Sequence, residues 1–225
     1  MKIAEIFHSV QGEGKLAGAP SVFVRTSGCN LRCVWCDTPY TSWNPEGKEQ
    51  SVDDIVADVL GYKAKYVVVT GGEPLIAPRV VELTERLRTE GLHITIETAG
   101  TVAADVACDL MSISPKLAHS TPVDDPRWAQ VHERTRMRYD VLEQLRDRFE
   151  SQWKFVVAEP GDIDEIDAIV TRLNLNADDV LLMAEGRSAA AIAAKAQWIV
   201  PLCLERGYRY SPRIHVDIWG DRRGV

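Results

Sequence analysis

Lys65-Tyr66-Val67-Val68-Val69-Thr70-Gly71-Gly72-Glu73-Pro74 is the stretch that decides the fold. Residues 65–70 form a continuous apolar run, the pattern of a parallel strand covered on both faces. Two glycines break it, and Pro74 stands near the start of the next element. Downstream, a helix from about Arg79 to Glu90 is stopped by Gly91, and His93–Thr98 is the next strand. Upstream, Ser51 suits a helix N-cap with Asp54 at the capping-box position. Ile55, Val56, Val59 and Leu60 give that helix an apolar face, and Gly61 ends it. Strand, helix and strand in alternation make parallel βαβ units.

The rhythm extends in both directions. Met1–Phe7 and Ser21–Thr26 read as strands, joined by the Gly-bearing loop His8–Gly14. Leu110–Ser114, Trp153–Val157 and Val180–Met183 read as further strands. Helices are expected near Ile163–Leu173 and Ala189–Glu205, with a last strand at Arg213–Asp217. About six parallel strands in 225 residues fall short of the roughly 250 of a full eight-unit barrel. The expectation is an α/β fold, a partial, open parallel (β/α) barrel, as a single domain over 1–225. The polar stretch 119–148 interrupts it as an excursion with one helix near Tyr139–Phe149.

Apolar content of 45% suits a full core, and a net charge of −7 argues against bulk nucleic-acid binding. No apolar run approaches the ~18 residues of a membrane span. The start, Met1-Lys2-Ile3-Ala4-Glu5, does not read as an export signal, so a cytoplasmic protein is expected. Thiols there stay reduced, and clustered cysteines mean metal or catalysis.

Three of the five cysteines cluster as Cys29-x3-Cys33-x2-Cys36, directly after the strand Ser21–Thr26. Three adjacent soft ligands suit iron–sulfur or zinc. Zinc would need a fourth ligand, with His8 nearest upstream, and structural zinc sites come as two ligand pairs with a longer gap. A redox pair Cys33-Val34-Trp35-Cys36 leaves Cys29 unexplained. Cys108 and Cys203 are isolated and read as core residues. Ligands gather at the carboxyl ends of strands in α/β sheets, and four loaded stretches lie there. They are the cysteine loop, Gly71-Gly72-Glu73-Pro74, Glu97-Thr98-Ala99-Gly100 and Ser114-Pro115-Lys116.

The cysteine spacing followed by Gly-Gly-Glu-Pro resembles the radical S-adenosylmethionine superfamily. Together with Val10-Gln11-Gly12-Glu13-Gly14, Arg25 and Cys36-Asp37-Thr38, the order of motifs is similar to the 7-carboxy-7-deazaguanine synthase family. The resemblance covers roughly the first half of the chain. It implies a [4Fe-4S] cluster on Cys29, Cys33 and Cys36, with one iron open to S-adenosyl-L-methionine. Trp35, Cys36, Asp37, Gly72, Ser114, Pro115 and Lys116 would contact that cofactor, and Thr38 would ligate Mg²⁺. Val10, Gln11, Gly12, Glu13, Arg25 and Thr70 would hold a pterin, 6-carboxy-5,6,7,8-tetrahydropterin. Arg25 would take its carboxylate bidentately and Glu13 its donor edge. The implied reaction is a radical ring contraction to 7-carboxy-7-deazaguanine with loss of ammonia. An electron donor such as a flavodoxin and a homodimer are implied too. The end, Trp219–Val225, lacks the family's proline, so no substrate contact is carried over to it, and His215 reads as a packed strand residue. Two rivals remain: a glycyl-radical activase of the same superfamily, which would need a peptide groove, and a non-enzymatic metal-binding protein.

Overall fold

The polypeptide of the computed structural model, residues 1–225, threads one nine-stranded sheet. In chain order the strands are β1 (Lys2–Val10), β2 (Pro20–Thr26), β3 (Lys48–Glu49), β4 (Tyr66–Gly71), β5 (His93–Thr98), β6 (Leu110–Ile113), β7 (Ser151–Val157), β8 (Val180–Ala184) and β9 (Arg209–Ser211). The helices are α1 (Val52–Gly61), α2 (Val80–Thr89), α3 (Pro126–Arg136), α4 (Tyr139–Arg148), α5 (Asp162–Leu173), α6 (Ala189–Arg206) and α7 (Ile214–Trp219). The spatial order is β3-β1-β2-β4-β5-β6-β7-β8-β9. From β2 to β9 every pairing is parallel, while β1 runs antiparallel to β2 and β3 antiparallel to β1. The open parallel barrel expected from the sequence is therefore the fold. It has seven parallel strands rather than six.

The capping logic at α1 holds: Asp54 N donates to Ser51 Oγ at 3.1 Å, and Ser51 Oγ donates to Asp54 Oδ2 at 2.6 Å. Two expectations fail. The last strand is not Arg213–Asp217. It is the three-residue β9, and 214–219 is the helix α7. Ile214 and Val216 mimic strand alternation, but Val216 alone is buried in α7. The excursion also holds two helices, not one. Asp125 caps α3, accepting from Trp128 N, and Pro126 takes its first turn. That start signal was legible, but His132 is the only buried residue of α3, so no apolar stripe marks it.

Strand alternation divides the chemistry. Val22, Val24, Val67, Val69, Ile94, Ile96, Met111, Ile113, Trp153, Phe155 and Val157 belong to the large apolar core under the helices. The intervening residues Phe23, Arg25, Thr70, Glu97, Ser112, Lys154, Val156 and Met183 line a cavity on the other face. Parallel register places them in rows, with Arg25 beside Thr70, Glu97 beside Ser112 and Val156 beside Met183. The same core cluster takes residues from Met1 to Val216. No helix is long and apolar enough to cross a membrane.

Ile96 is fully buried on the helix side of β5. An Ile96→Ala variant is expected to lose about 2–5 kcal/mol of stability, read by urea denaturation. The polar cavity face, set by the opposite parity of the strand, keeps its ligands.

Candidate active site

The cysteine loop leaves the carboxyl end of β2. One thiol takes a loop amide, Leu31 N donating to Cys29 Sγ at 3.4 Å, and the other restraints come from elsewhere. Gly28 N donates to Thr41 O at 2.8 Å, and Val34 N donates to Ser120 O at 3.0 Å. Arg32 Nη1 donates to the carbonyls of Cys29 and Leu31 at 2.8 and 2.7 Å, while the ring centroid of Trp128 in α3 lies 4.1 Å from the guanidinium carbon. Trp43 Nε1 donates to Cys33 O at 3.1 Å. Fully buried His132 accepts from Arg32 N on Nδ1 at 3.1 Å. The proton must then sit on Nε2, facing Ser120 Oγ at 2.9 Å, and Ser120 Oγ donates onward to Leu117 O at 2.6 Å. Burial pushes His132 down to about 4, so it is neutral at pH 7.

The glycine-rich loop packs directly on this one. Glu73 N donates to Gly28 O at 2.9 Å, and a Cβ on Gly72 would overlap the Gly28 carbonyl and the Cys29 Cβ. Gly72 is required here by close approach. Glu73 turns inward, fully buried, and accepts from Thr98 Oγ1, Ala99 N and Leu75 N at 2.8, 2.9 and 3.1 Å. Burial nevertheless raises its carboxyl above the usual range.

Cys29, Cys33 and Cys36 are free thiols. Burial pushes Cys29 up to about 11 and Cys33 up to about 12. Such thiols ionise only against a bound cation, and a coordinated thiol is deprotonated outright. No three His, Cys, Asp or Glu side chains converge on a single-ion position. Three spaced thiols in one loop would suit a cluster of several irons, with Cys29, Cys33 and Cys36 as the residues that would hold it. Cys108 and Cys203 are pushed up by burial to about 12 and about 11, which fits inert core thiols.

Beside the thiols, a cavity of about 500 Å³ gathers fifteen of the sixteen residues expected to act, all but Pro115. Pro115 is buried outside the lining. At one end, Trp35 Nε1 donates to His119 Nδ1 at 2.9 Å. Lys116 Nζ donates to Ser114 O and Oγ at 2.8 and 2.7 Å. Cys36 Sγ lies 3.2 Å from Ser42 Oγ, and Thr38 Oγ1 accepts from Thr41 Oγ1 at 3.1 Å. At the other end, Glu97 accepts from Gln11 Nε2 at 3.2 Å and from Thr70 Oγ1 at 2.8 Å. Arg25 pairs through Nε with Glu5 at 2.7 Å and lies 5.6 Å from the Phe7 ring centroid, while its Nη atoms make no bond within the chain.

Glu13 is not a free acceptor. It is buried between Lys154, which donates to Oε2, and Arg213, whose Nε donates to Oε1 at 3.1 Å. Burial opposes its charge, but Lys154, Arg213 and then His215 outweigh that and hold the carboxyl well below the usual range. Burial disfavours a charged Lys154 as well, and Glu13 and Glu97 reverse that, raising it.

Lys154, Arg213 and Arg187 line the cavity without having been singled out from sequence, His215 lines it although it reads in sequence as a packed strand residue, and Glu97 was singled out only within its motif. His215 sits in α7, not a strand, 3.9 Å from Glu13 Oε1. The one legible signal was Lys154, a lone cation inside the apolar run of β7. Residues 220–225 also line the mouth. Arg223 pins them, donating to Glu5 at 3.2 Å and Glu46 at 3.0 Å over the Tyr40 ring.

Comparison with known proteins agrees with this geometry. Residues 23–173 match the radical SAM superfamily model. A 7-carboxy-7-deazaguanine synthase of Rhodopirellula baltica is 48% identical over 99% of this chain and 88% of its own length. One of Halobacterium salinarum is 47% identical over 98% and 91%. The crystal structure of QueE from Escherichia coli superposes with a TM-score of 0.70 at 28% identity, covering 95% of this chain and 94% of that one.

Two outcomes are expected. Gly72→Ala drives the two loops apart and lowers iron uptake on reconstitution, whereas Gly161→Ala, with nothing within 4 Å of the new Cβ, leaves it unchanged. His132 binds fewer protons folded than unfolded between pH about 6.5 and 4. Stability is therefore lost as pH falls through that window, by about 3 kcal/mol from this residue. Urea denaturation of His132→Gln at pH 7 and pH 5 should show a smaller pH difference than the parent.

Proposed function

Because this chain belongs to the 7-carboxy-7-deazaguanine synthase family of the radical S-adenosylmethionine superfamily, we propose that it contracts the ring of 6-carboxy-5,6,7,8-tetrahydropterin to 7-carboxy-7-deazaguanine, releasing ammonia. The observation that carries the reading is one cavity with a three-thiol loop at one end and a polar, charge-balanced pocket at the other. When bound, a [4Fe-4S] cluster and S-adenosyl-L-methionine supply a carbon radical that takes hydrogen from the pterin C6. Every other step asks the chain to bind, orient and exclude water.

Cys29, Cys33 and Cys36 hold the cluster in this reading. Trp35, Asp37, Gly72, Ser114 and Lys116 face the cofactor, and their place on the cavity's thiol side supports that. Pro115 acts only by fixing the Ser114–Lys116 backbone. Substrate falls to Val10, Gln11, Gly12, Glu13, Arg25 and Thr70, joined by Glu97. Glu13 and Glu97 are the acceptors for a guanine-like donor edge. A carboxylate has about four lone-pair sites, so Glu13 can take a substrate donor beside its two cations. The unbonded Nη atoms of Arg25 suit the substrate carboxylate. Thr38 offers one hydroxyl to Mg²⁺, which keeps waters and takes substrate oxygens rather than a full protein cage. A one-electron donor of the flavodoxin type and a homodimer complete the proposal and come from the family resemblance, and a cytoplasmic setting is proposed with them.

The direct test is an anaerobic assay of the reconstituted protein with reductant, S-adenosyl-L-methionine and carboxytetrahydropterin. Deazaguanine acid is the expected product. Cofactor cleavage without it would reject the substrate. Glu13→Ala would take the shared partner from two buried cations, leaving Lys154 only Glu97 at 3.7 Å and Arg213 only Asp37 at 2.9 Å, so Glu13→Gln is the cleaner probe. It is expected to raise KM about tenfold or more, the loss of a charge-assisted bond, with cluster absorbance unchanged.

A further inference from the structure

Arg213 sits where three loops meet, and each of its nitrogens goes to a different one. Nε donates to Glu13 Oε1 at 3.1 Å, on the loop after β1. Nη2 donates to Asp37 Oδ2 at 2.9 Å, next to Cys36. Nη1 donates to Gly186 O at 2.5 Å, on the loop after β8. That last loop returns to the cysteine loop, because Arg187 Nη2 donates to Cys36 O at 2.6 Å. The guanidinium is buried, with a side chain 7% exposed, while Asp37 is half exposed at 54%.

From this juxtaposition we infer that Arg213 is a positioning residue that makes substrate binding and S-adenosyl-L-methionine binding cooperative, by tying Glu13 to Asp37 and the 186–187 loop. The inference rests on the proposed assignment of Glu13 to substrate and Asp37 to cofactor. A planar guanidinium holds its three partners in one plane, so fixing one end restricts the others. Substrate donors that order the Glu13 carboxylate order Arg213. Asp37 and the Gly186 carbonyl are then held before the cofactor arrives. The second ligand meets a site whose ordering cost is partly met, which is positive coupling without a large movement. Linkage requires the factor to be the same in both directions. A lysine at 213 keeps the positive charge but is a point ammonium that cannot form the planar three-way tie.

The test uses the reconstituted holoenzyme without reductant, so nothing turns over. S-adenosyl-L-methionine affinity is measured by equilibrium dialysis with and without saturating carboxytetrahydropterin. The parent is expected to bind the cofactor about fivefold or more tighter when substrate is present, and substrate tighter by the same factor when cofactor is present. In R213K and in D37N that factor should fall to within about twofold of one, with iron content and cluster absorbance at the parental level. Under reducing conditions both variants should release more 5′-deoxyadenosine per deazaguanine acid than the parent. Retention of the parental factor in either iron-replete variant overturns the inference, as does an equal loss of cofactor affinity with and without substrate. Should R213K fail to take up iron, D37N decides alone, since its half-exposed residue leaves the core intact. A parent that makes product yet shows no coupling sinks this inference only. A parent that makes no product sinks the family assignment of substrate and this inference with it.

Discussion

A carboxylate buried among cations is the constraint on which this site depends. Glu13, Lys154 and Arg213 come from the loop after β1, from β7 and from the turn before α7, and the Glu13 carboxylate is the partner that both cations share. Removing one partner from such a set typically costs about 3–5 kcal/mol, because the charge left behind has no solvent. The two ends of the chain are thereby held to the middle of the sheet, with residues 13 and 213 in direct contact. The same balance leaves an ionised carboxylate in a place that apolar walls would neutralise.

Glu73 shows the alternative. It is fully buried, where the Glu13 side chain keeps 13% of its surface exposed, and it receives hydrogen bonds from Thr98 and from two backbone amides, yet burial raises its carboxyl while Glu13 is lowered. The difference lies in the neighbours. Lys154 and Arg213 touch Glu13 directly, whereas the cation acting on Glu73, Lys116, is the weakest of its influences. Glu73 also bonds Thr98, Ala99 and Leu75, joining the ends of β4 and β5 beneath the glycine loop. One carboxyl braces the scaffold and the other presents charge to the cavity, and position in the sheet separates the tasks.

The scaffold was legible because its signals are local. Val67–Val69, Ile94–Ile96 and the Ser51 cap each announce their element within a few residues, as do the three cysteines and two adjacent glycines. The features that escaped depend on contacts across the chain. Lys154 is a lone cation in an apolar strand whose partner, Glu13, lies 141 residues away. Arg213 and His215 lie in a segment whose Ile214 and Val216 alternate like a strand but coil into α7. Glu13 was legible as a polar residue in a glycine loop, but its ion pairs were not, since nothing near residue 13 names partners at 154 and 213. The helix α3 was hidden because its anchor to the core is a histidine rather than a stripe of aliphatic residues.

That helix also explains how an irregular loop can carry three thiols. A loop leaving the sheet forfeits the ladder that would satisfy its amides, and buried amides must be bonded. The cysteine sulfurs satisfy few of them. Only Leu31 N goes to a sulfur, that of Cys29. For the others His132 accepts from Arg32 N, Ser120 O accepts from Val34 N, and Trp128 stacks on the Arg32 guanidinium that itself fills two loop carbonyls. All three residues come from the 119–148 excursion. The polar interruption of the barrel rhythm is therefore a frame for the cysteine loop. At its three contact points that task calls for two acceptors and an aromatic ring, not for a stripe of aliphatic side chains.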